Sequence, residues 1–259
     1  MTTATCDVLA EHLNQLLGVP QHPDYPHALN GLQIANRSPV HRIGASVDLS
    51  LRVIEAARAA GANFLIVHHG MFWGGLQPIV GKEYVRVRAL MDADIAVYSV
   101  HLPLDSHAEL GNAVLLARRL GLQPNGGFAK HDDVYVGVRG ECDVATAELV
   151  QRVTTFSAEH DTTVRTTPIR AGQHTLRWAI CTGAGASTST LHDAASEHID
   201  TLLVGEGPHH TAVDAEERSI TVIYAGHYAT ETLGVQAVAQ RVSAEYDIPW
   251  IFLAAPTGL

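Results

Sequence analysis

The 259 residues, 46% of them hydrophobic, suffice for one large or two modest globular cores. A formal net charge of -10 disfavours a nucleic-acid or anionic-membrane partner and leaves a small molecule as the better-fitting substrate class. No run reaches the roughly 18 uncharged apolar residues of a membrane-spanning helix, and the start, Met1-Thr2-Thr3-Ala4-Thr5-Cys6-Asp7, lacks the basic head and apolar middle of a signal peptide, which points to the cytoplasm.

In chain order, the amphipathic residues 6–17 predict an opening helix, and a turn-rich stretch with Pro20, Pro23 and Pro26 leads into Asn30-Gly31-Leu32-Gln33-Ile34. A strand over 41–47, a helix over 49–60 capped by Gly61 and a strand over 64–67 make a β-α-β unit. A helix over 84–92, a strand over 95–100 and a helix over 112–120 continue the alternation. The composition shift at Gln123-Pro124-Asn125-Gly126-Gly127 sets a boundary between a first α/β domain, 1–128, and a second, 129–259, whose C-terminal segment is a candidate to pack back on the first. Beyond it, residues 133–138, 145–156, 178–182, 190–198, 201–204 and 220–225 repeat the mixed pattern. The expected fold class is therefore α/β: two domains with mixed, largely parallel sheets flanked by helices. Cys6, Cys142 and Cys181 are odd in number and far apart, so they read as small buried residues rather than a disulfide framework or a thiolate zinc site.

Three of the predicted strands run straight into imidazole and carboxylate groups. His68 and His69 follow Phe64-Leu65-Ile66-Val67; His101 and Asp105 follow Val97-Tyr98-Ser99-Val100; His227 and Glu231 follow the last strand in Gly226-His227-Tyr228-Ala229-Thr230-Glu231. Singly, each has a plain structural explanation: a satisfied histidine, a helix N-cap at Asp105, or a solvated i, i+4 pair at His227 and Glu231. Together they point to a metal. Such groups are costly to bury uncompensated, and one divalent cation compensates several of them. Ligands of open α/β sheets collect at the carboxyl ends of strands, which is where His68, His69, His101 and Asp105 fall.

The donors are all nitrogen and oxygen, which suits Zn, Fe, Mn, Co or Ni better than Mg or Ca. A weak internal echo relates Leu65 to Gly70 to Leu202-Leu203-Val204-Gly205-Glu206-Gly207, and facing strand mouths would put the site in the cleft between domains. Gly183-Ala184-Gly185 follows a strand as a dinucleotide fingerprint would, but Thr188 stands in the third glycine's place, so a tight turn is the better reading. Of the sixteen histidines, His12, His22, His27, His41, His131, His160, His174, His192 and His198 read mostly as surface residues, while His107, His209 and His210 stay open.

The segments Asn30-Gly31-Leu32-Gln33, His68-His69-Gly70-Met71-Phe72-Trp73, His101-Leu102-Pro103-Leu104-Asp105 with Gly111-Asn112, Gly205-Glu206 and Gly226 to Glu231, in this order and spacing, resemble the Nif-three-like dinuclear-metal family in its short bacterial form, the GTP cyclohydrolase I type 2 homologues. The resemblance runs from about residue 7 to the end. It implies two α/β domains around a dinuclear metal site, assembled as a toroidal homohexamer. Carried over residue by residue, it implies that His68 and Asp105 bind one divalent transition-metal ion and His69 and His227 the other, with Glu231 bridging. Adjacent side chains on an extended chain diverge, which agrees with two ions for the two adjacent histidines.

Glu206 and His101 are then the catalytic candidates, as orienting or proton-transfer groups, and Asp48 is a weaker one of the same kind. Asp24 and Asn30 carry no assignment. Longer relatives, which carry a large extra domain absent here, tend to have Thr and Asn where this chain has Leu102 and Pro103, which argues against a polar role there. The implied activity is metal-assisted hydrolysis of a nucleotide or related small molecule, with GTP ring opening as the version the family name suggests. The alternative is a metal-binding regulatory or protein-interaction protein without catalysis.

Overall fold

The computed structural model describes residues 4–259; the first three residues, on which part of the signal-peptide reading falls, lie outside the described residues. The chain divides into two compact units. One comprises the chain up to His107 together with Gly234–Ala255, and the other comprises Ala108–Leu233 with Pro256–Leu259.

In the first unit, helix α1 (Cys6–Leu16) starts where the Thr5 hydroxyl accepts from Val8 N, and it buries Leu9 and Leu13 on one face. Strand β1 (Gly31–Ile34) lies antiparallel to the later strand Ala96–Ser99. Strand β2 (Ile43–Asp48) feeds helix α2 (Leu51–Ala60), which the Ser50 hydroxyl caps at its start and Gly61, in the left-handed region, at its end. Strand β3 (Phe64–His69) is followed by helix α3 (Gly81–Asp92), strand β4 (Ala96–Ser99) and the single turn α4 (Leu102–Asp105). Strands β2, β3 and β4 are parallel neighbours, with Asp48 opposite His69 and Val67 opposite Ser99. Buried on both faces, β3 reads as an unbroken apolar run until its two histidines.

The second unit begins with helix α5 (Asn112–Arg119), then strands β5 (Pro124–His131) and β6 (Val134–Ala145), helix α6 (Thr146–Ala158), strands β7 (Arg165–Thr166) and β8 (His174–Cys181), helix α7 (Thr188–Ser196), strand β9 (Thr201–Val204), helix α8 (His209–Glu217), strand β10 (Thr221–Tyr224) and the single turn α9 (His227–Thr230). Its sheet runs β5-β6-β8-β9-β10-β7. Only β8, β9 and β10 are parallel neighbours; the β5-β6, β6-β8 and β10-β7 pairs are antiparallel.

The division into units falls at His107, earlier than the Gln123 to Gly127 stretch where composition placed a boundary. Helix α5 goes with the second unit because Ala113, Leu116 and Ala117 are buried in one cluster with Leu149, Val153 and Trp178. The supposed linker is instead the start of the first strand of a hairpin, with Gly126 under the Arg139 side chain and Gly127 under the Tyr135 ring.

The chain then returns to the first unit. Helix α10 (Thr232–Tyr246) leaves the second unit, and strand β11 (Trp250–Phe252) adds parallel to the free edge of β2, with Trp250 opposite Ile43. The return is tied by Ser46 Oγ donating to Leu253 O at 3.0 Å and Leu253 N donating to Ala45 O at 2.8 Å. Cys6 and Cys181 are buried and Cys142 half-buried, all as free thiols. Among the described residues no helix is long and apolar enough to cross a membrane.

Candidate metal centre

At the carboxyl end of the first unit's sheet, strand alternation decides which way each group faces. His68 is fully buried, and its ring Nδ1 lies 2.9 Å from Val100 O, the carbonyl just beyond the neighbouring strand. A carbonyl only accepts, so Nδ1 carries a proton. The His69 ring lies 4.8 Å from that of His68 between centroids, and its Nδ1 meets Asp48 Oδ1 at 2.8 Å because the two residues are register partners. The turn α4 sets Asp105 four residues past His101, with Asp105 N donating to His101 O at 3.2 Å. This brings Asp105 Oδ2 to 3.4 Å from His68 Nε2, with the Asp105 side chain only 7% exposed. A ligand nitrogen of each of His68, His69 and His101 lies within 4.8 Å of the other two.

His101 is fastened by a loop that precedes β1. Asp24 accepts from His101 Nδ1 at 2.8 Å and Tyr25 N at 2.7 Å through Oδ1, and from Asn30 Nδ2 at 2.7 Å and Leu102 N at 2.9 Å through Oδ2. Asn30 Oδ1 in turn accepts from the His101 backbone N–H at 2.7 Å. Burial, the largest influence on Asp24, works against its charge. The hydrogen bond and charge of His101, with the Asn30 and Leu102 donors, outweigh it and hold the carboxyl below its ordinary range. The Trp73 ring stands edge-on to both His101, at 4.7 Å between centroids, and His69, at 5.7 Å. Its indole nitrogen is buried with no hydrogen-bond acceptor among the described residues.

In the second unit, the ends of the parallel strands β8, β9 and β10 are each followed by a glycine: Gly183, Gly205 and Gly226. Backbone bonds stitch these ends together, Glu206 N donating to Gly183 O at 2.8 Å and Gly226 N to Gly205 O at 2.9 Å. The turn α9 puts His227 and Glu231 four residues apart on one side, with His227 Nε2 3.1 Å from Glu231 Oε2. Glu206 Oε1 accepts from His227 Nδ1 at 2.8 Å. Burial, the largest single influence, disfavours the His227 imidazolium, but the hydrogen bonds and charges of Glu231 and Glu206 together raise it to about 9. Glu231 itself is 3% exposed.

Gly183 explains the glycine pair that resembles half a dinucleotide fingerprint. A Cβ there would lie 2.1 Å from Glu231 Oε1, and φ of 61° already excludes most side chains. The glycine makes room for a buried carboxylate. Gly183→Ala is expected to cost about 1–2 kcal/mol from backbone conformation alone and to displace Glu231, so that metal content falls while far-UV circular dichroism stays native. An alanine variant with undiminished metal content would show that Glu231 tolerates displacement.

Four imidazoles therefore share one feature: Nδ1 lies within hydrogen-bond distance of a carboxylate or carbonyl oxygen, and in His68 and His227 Nε2 lies 3.4 Å and 3.1 Å from a carboxylate. This is the outer fastening that metal-ligating histidines use to fix tautomer and ring orientation. With Asp105 beside His68 and Glu231 beside His227, these groups have the chemistry to hold a metal ion.

Sequence reasoning left Asp24 and Asn30 unassigned because their partner lies more than seventy residues away in the chain; the nearby Asn30-Gly31 motif was their one visible signal. Tyr25, whose ring lies 5.9 Å from that of His101, and the role of Trp73 were also not foreseen. Of the histidines read as surface residues, His12 packs on Tyr246 and lies 3.3 Å from Glu245, and His22 is half-buried with hydrogen bonds to Pro23 O and the Ser106 hydroxyl. His209 and His210 are exposed at the start of α8.

The fold and donor groups define a class: α/β proteins of two units whose parallel strands end in imidazole and carboxylate groups suited to metal. The chain belongs to the Duf34/NIF3 (NGG1p interacting factor 3) family, whose model matches residues 4–257. It is 39% identical over 258 residues to a Deinococcus radiodurans protein named GTP cyclohydrolase 1 type 2 homolog, covering 98% of this chain and 94% of that one. A Treponema pallidum protein of the same name is 38% identical over 266 residues, covering 90% and 92% respectively. The crystal structure of a Thermus thermophilus protein, TTHA1606, matches with a TM-score of 0.86 at 35% identity, over 98% of this chain and 100% of that one.

Proposed function

We propose that the protein is a dinuclear metal-dependent hydrolase acting on a nucleotide or related small molecule, with two divalent transition-metal ions per chain. In this reading His68 and Asp105 hold one ion, His69 and His227 the other, and Glu231 bridges. The observation that carries it is the common fastening of four histidines, each with Nδ1 within hydrogen-bond distance of an oxygen acceptor. A surface or core histidine needs one satisfied nitrogen; four rings each oriented by an oxygen acceptor, with carboxylates beside His68 and His227, fit a metal pair.

Such a pair, when bound, supplies Lewis acidity that lowers the pKa of water and polarises an electrophilic centre. The residues of the chain do the rest. Asp48 and Glu206 orient His69 and His227, while Trp73 walls one side of His69 and His101. The relatives' name makes GTP the first substrate to test, with ring opening at the guanine imidazole as the expected reaction. The deciding experiment is an activity screen of zinc-, iron-, manganese-, cobalt- and nickel-loaded protein over nucleotides, phosphoesters and cyclic amides. Turnover that disappears with chelator and returns with metal supports the reading. Metal-replete protein inert on every class favours the second reading, a metal-binding interaction protein, to which the family's description as an interacting factor lends weight.

Elemental analysis of protein purified without chelator is expected to find close to two transition-metal ions per chain. The proposed set of five ligands exceeds what one tetrahedral ion with an open position needs. One tightly held ion, or none in folded protein, would refute the dinuclear reading. Light scattering is expected to report a homohexamer, an assembly that rests on the family resemblance; a clean monomer at micromolar concentration would remove it.

A further inference from the structure

Glu206 and His101 both stand as proton-transfer candidates, and their surroundings separate them. Glu206 is 45% exposed and already accepts the Nδ1–H of His227. It does for His227 what Asp48 does for His69 and Val100 O does for His68: it holds a ring in place. The His101 side chain is 11% exposed, and the atom behind it is a carboxylate rather than a carbonyl. Asp24 is itself locked, accepting from two backbone N–H groups and the Asn30 amide besides the imidazole, and Asn30 also clamps the His101 backbone. A carboxylate that accepts from so many donors presents only one atom type to Nδ1, so the proton stays there and Nε2 stays bare.

We propose that Asp24, supported by Asn30, is a positioning residue that fixes His101 with Nδ1 protonated and Nε2 free, and that His101 rather than Glu206 is the proton acceptor of the site. The inference rests on the hydrolase reading for its second half only. In the reaction, the oxygen of water bonds to the electrophilic centre of the substrate as its proton passes to His101 Nε2. The imidazolium is stabilised by Asp24 and then returns that proton to the leaving group as the scissile bond breaks. Water is consumed across one bond and the side chains end as they began. The neighbouring rings of His68, at 4.9 Å between centroids, and His69, at 5.6 Å, place this nitrogen beside the proposed ligands.

The arrangement also predicts what an amide at position 24 does. Asn at that position turns an NH2 group toward donors, either Leu102 N and Asn30 Nδ2 or Tyr25 N and His101 Nδ1. Some of these bonds are lost, and the ring is no longer held to one tautomer.

The test uses full-length, zinc-loaded protein with 15N-labelled histidine, comparing wild type, Asp24→Asn and His101→Gln. Long-range 1H–15N spectra of wild type are expected to show His101 with Nδ1 protonated and Nε2 bare. Asp24→Asn is expected to turn that signal into a tautomer mixture while the His68 and His69 signals persist. Both variants are expected to keep the wild-type zinc content. Where the wild type hydrolyses GTP or a phosphoester probe, kcat is expected to fall about 10²-fold or more in each variant, with KM changed by less than about threefold.

A wild-type His101 protonated on Nε2, or an Asp24→Asn variant with an unchanged tautomer, overturns the positioning role. Loss of one zinc from His101→Gln overturns the proton-acceptor role, because it makes His101 a ligand. If Asp24→Asn does not fold, the wild-type spectrum and the His101→Gln zinc content still decide. Wild type that turns over no nucleotide, phosphoester or cyclic-amide probe with zinc, iron, manganese, cobalt or nickel sinks the hydrolase reading and the proton-acceptor role with it, while the tautomer result still judges Asp24.

Discussion

Glu231→Gln is expected to weaken the binding of both metal ions, each by about 10- to 100-fold or more, the range reached by losing even an outer partner of a ligand. The substitution is nearly isosteric. Glu231 sits at the end of turn α9, enclosed, with the space at Gly183 kept open for one of its oxygens and His227 Nε2 within 3.1 Å of the other. An amide fits that volume, so the fold is retained and the change is one of charge. Two dications about 3.5–4 Å apart repel strongly, and a carboxylate shared between them offsets that repulsion where a neutral amide does not. Competition titration with a chromogenic chelator reads the two affinities, and far-UV circular dichroism checks the fold. Loss of a single ion would make Glu231 a terminal ligand. Two ions at unchanged affinity would remove it from the site.

The part of this site legible in the sequence was the part written contiguously. His68-His69 stand out because two imidazoles directly after a strand buried on both faces are an unusual strand end, and Glu231 because it follows His227 at the spacing of one helical turn. The α/β alternation of the first unit was legible for the same reason: the apolar runs of β2, β3 and β4 and the Ser50 and Gly61 caps are local signals. The fastening groups were not. Asp48 joins His69 only through strand register, Glu206 reaches His227 across two parallel strands, and Asp24 meets His101 from a loop seventy-seven residues earlier.

The second unit was harder to read because its glycines carry two meanings. Gly126 and Gly127 look like a linker, yet they are small because Arg139 and Tyr135 from the paired strand lie over them. Gly183 looks like half of a phosphate-binding turn, yet its missing Cβ is the room that Glu231 occupies. A glycine states that something approaches closely, and the sequence does not say whether that neighbour is a ligand, a ring or a carboxylate.

The two adjacent histidines allow a division of labour to be tested by subtraction. His68→Ala is expected to empty the position shared with Asp105 and leave one ion per chain, His69→Ala to empty the other and again leave one, and the double variant to hold none. The reason is that the two rings, though their centroids are 4.8 Å apart, have different anchors, Val100 O for His68 and Asp48 for His69. The same anchors rank the cost to the metal-free fold. His68→Ala leaves a buried carbonyl without its imidazole donor, at about 1–3 kcal/mol, and opens a void in a fully buried position. His69→Ala releases an Asp48 carboxylate that is partly exposed and can turn to water. Urea midpoints in chelator should therefore fall further for His68→Ala than for His69→Ala. Equal midpoints would show that the burial of His68 is not what anchors this strand end. A single variant that loses both ions would show that the two histidines serve one inseparable centre rather than two positions.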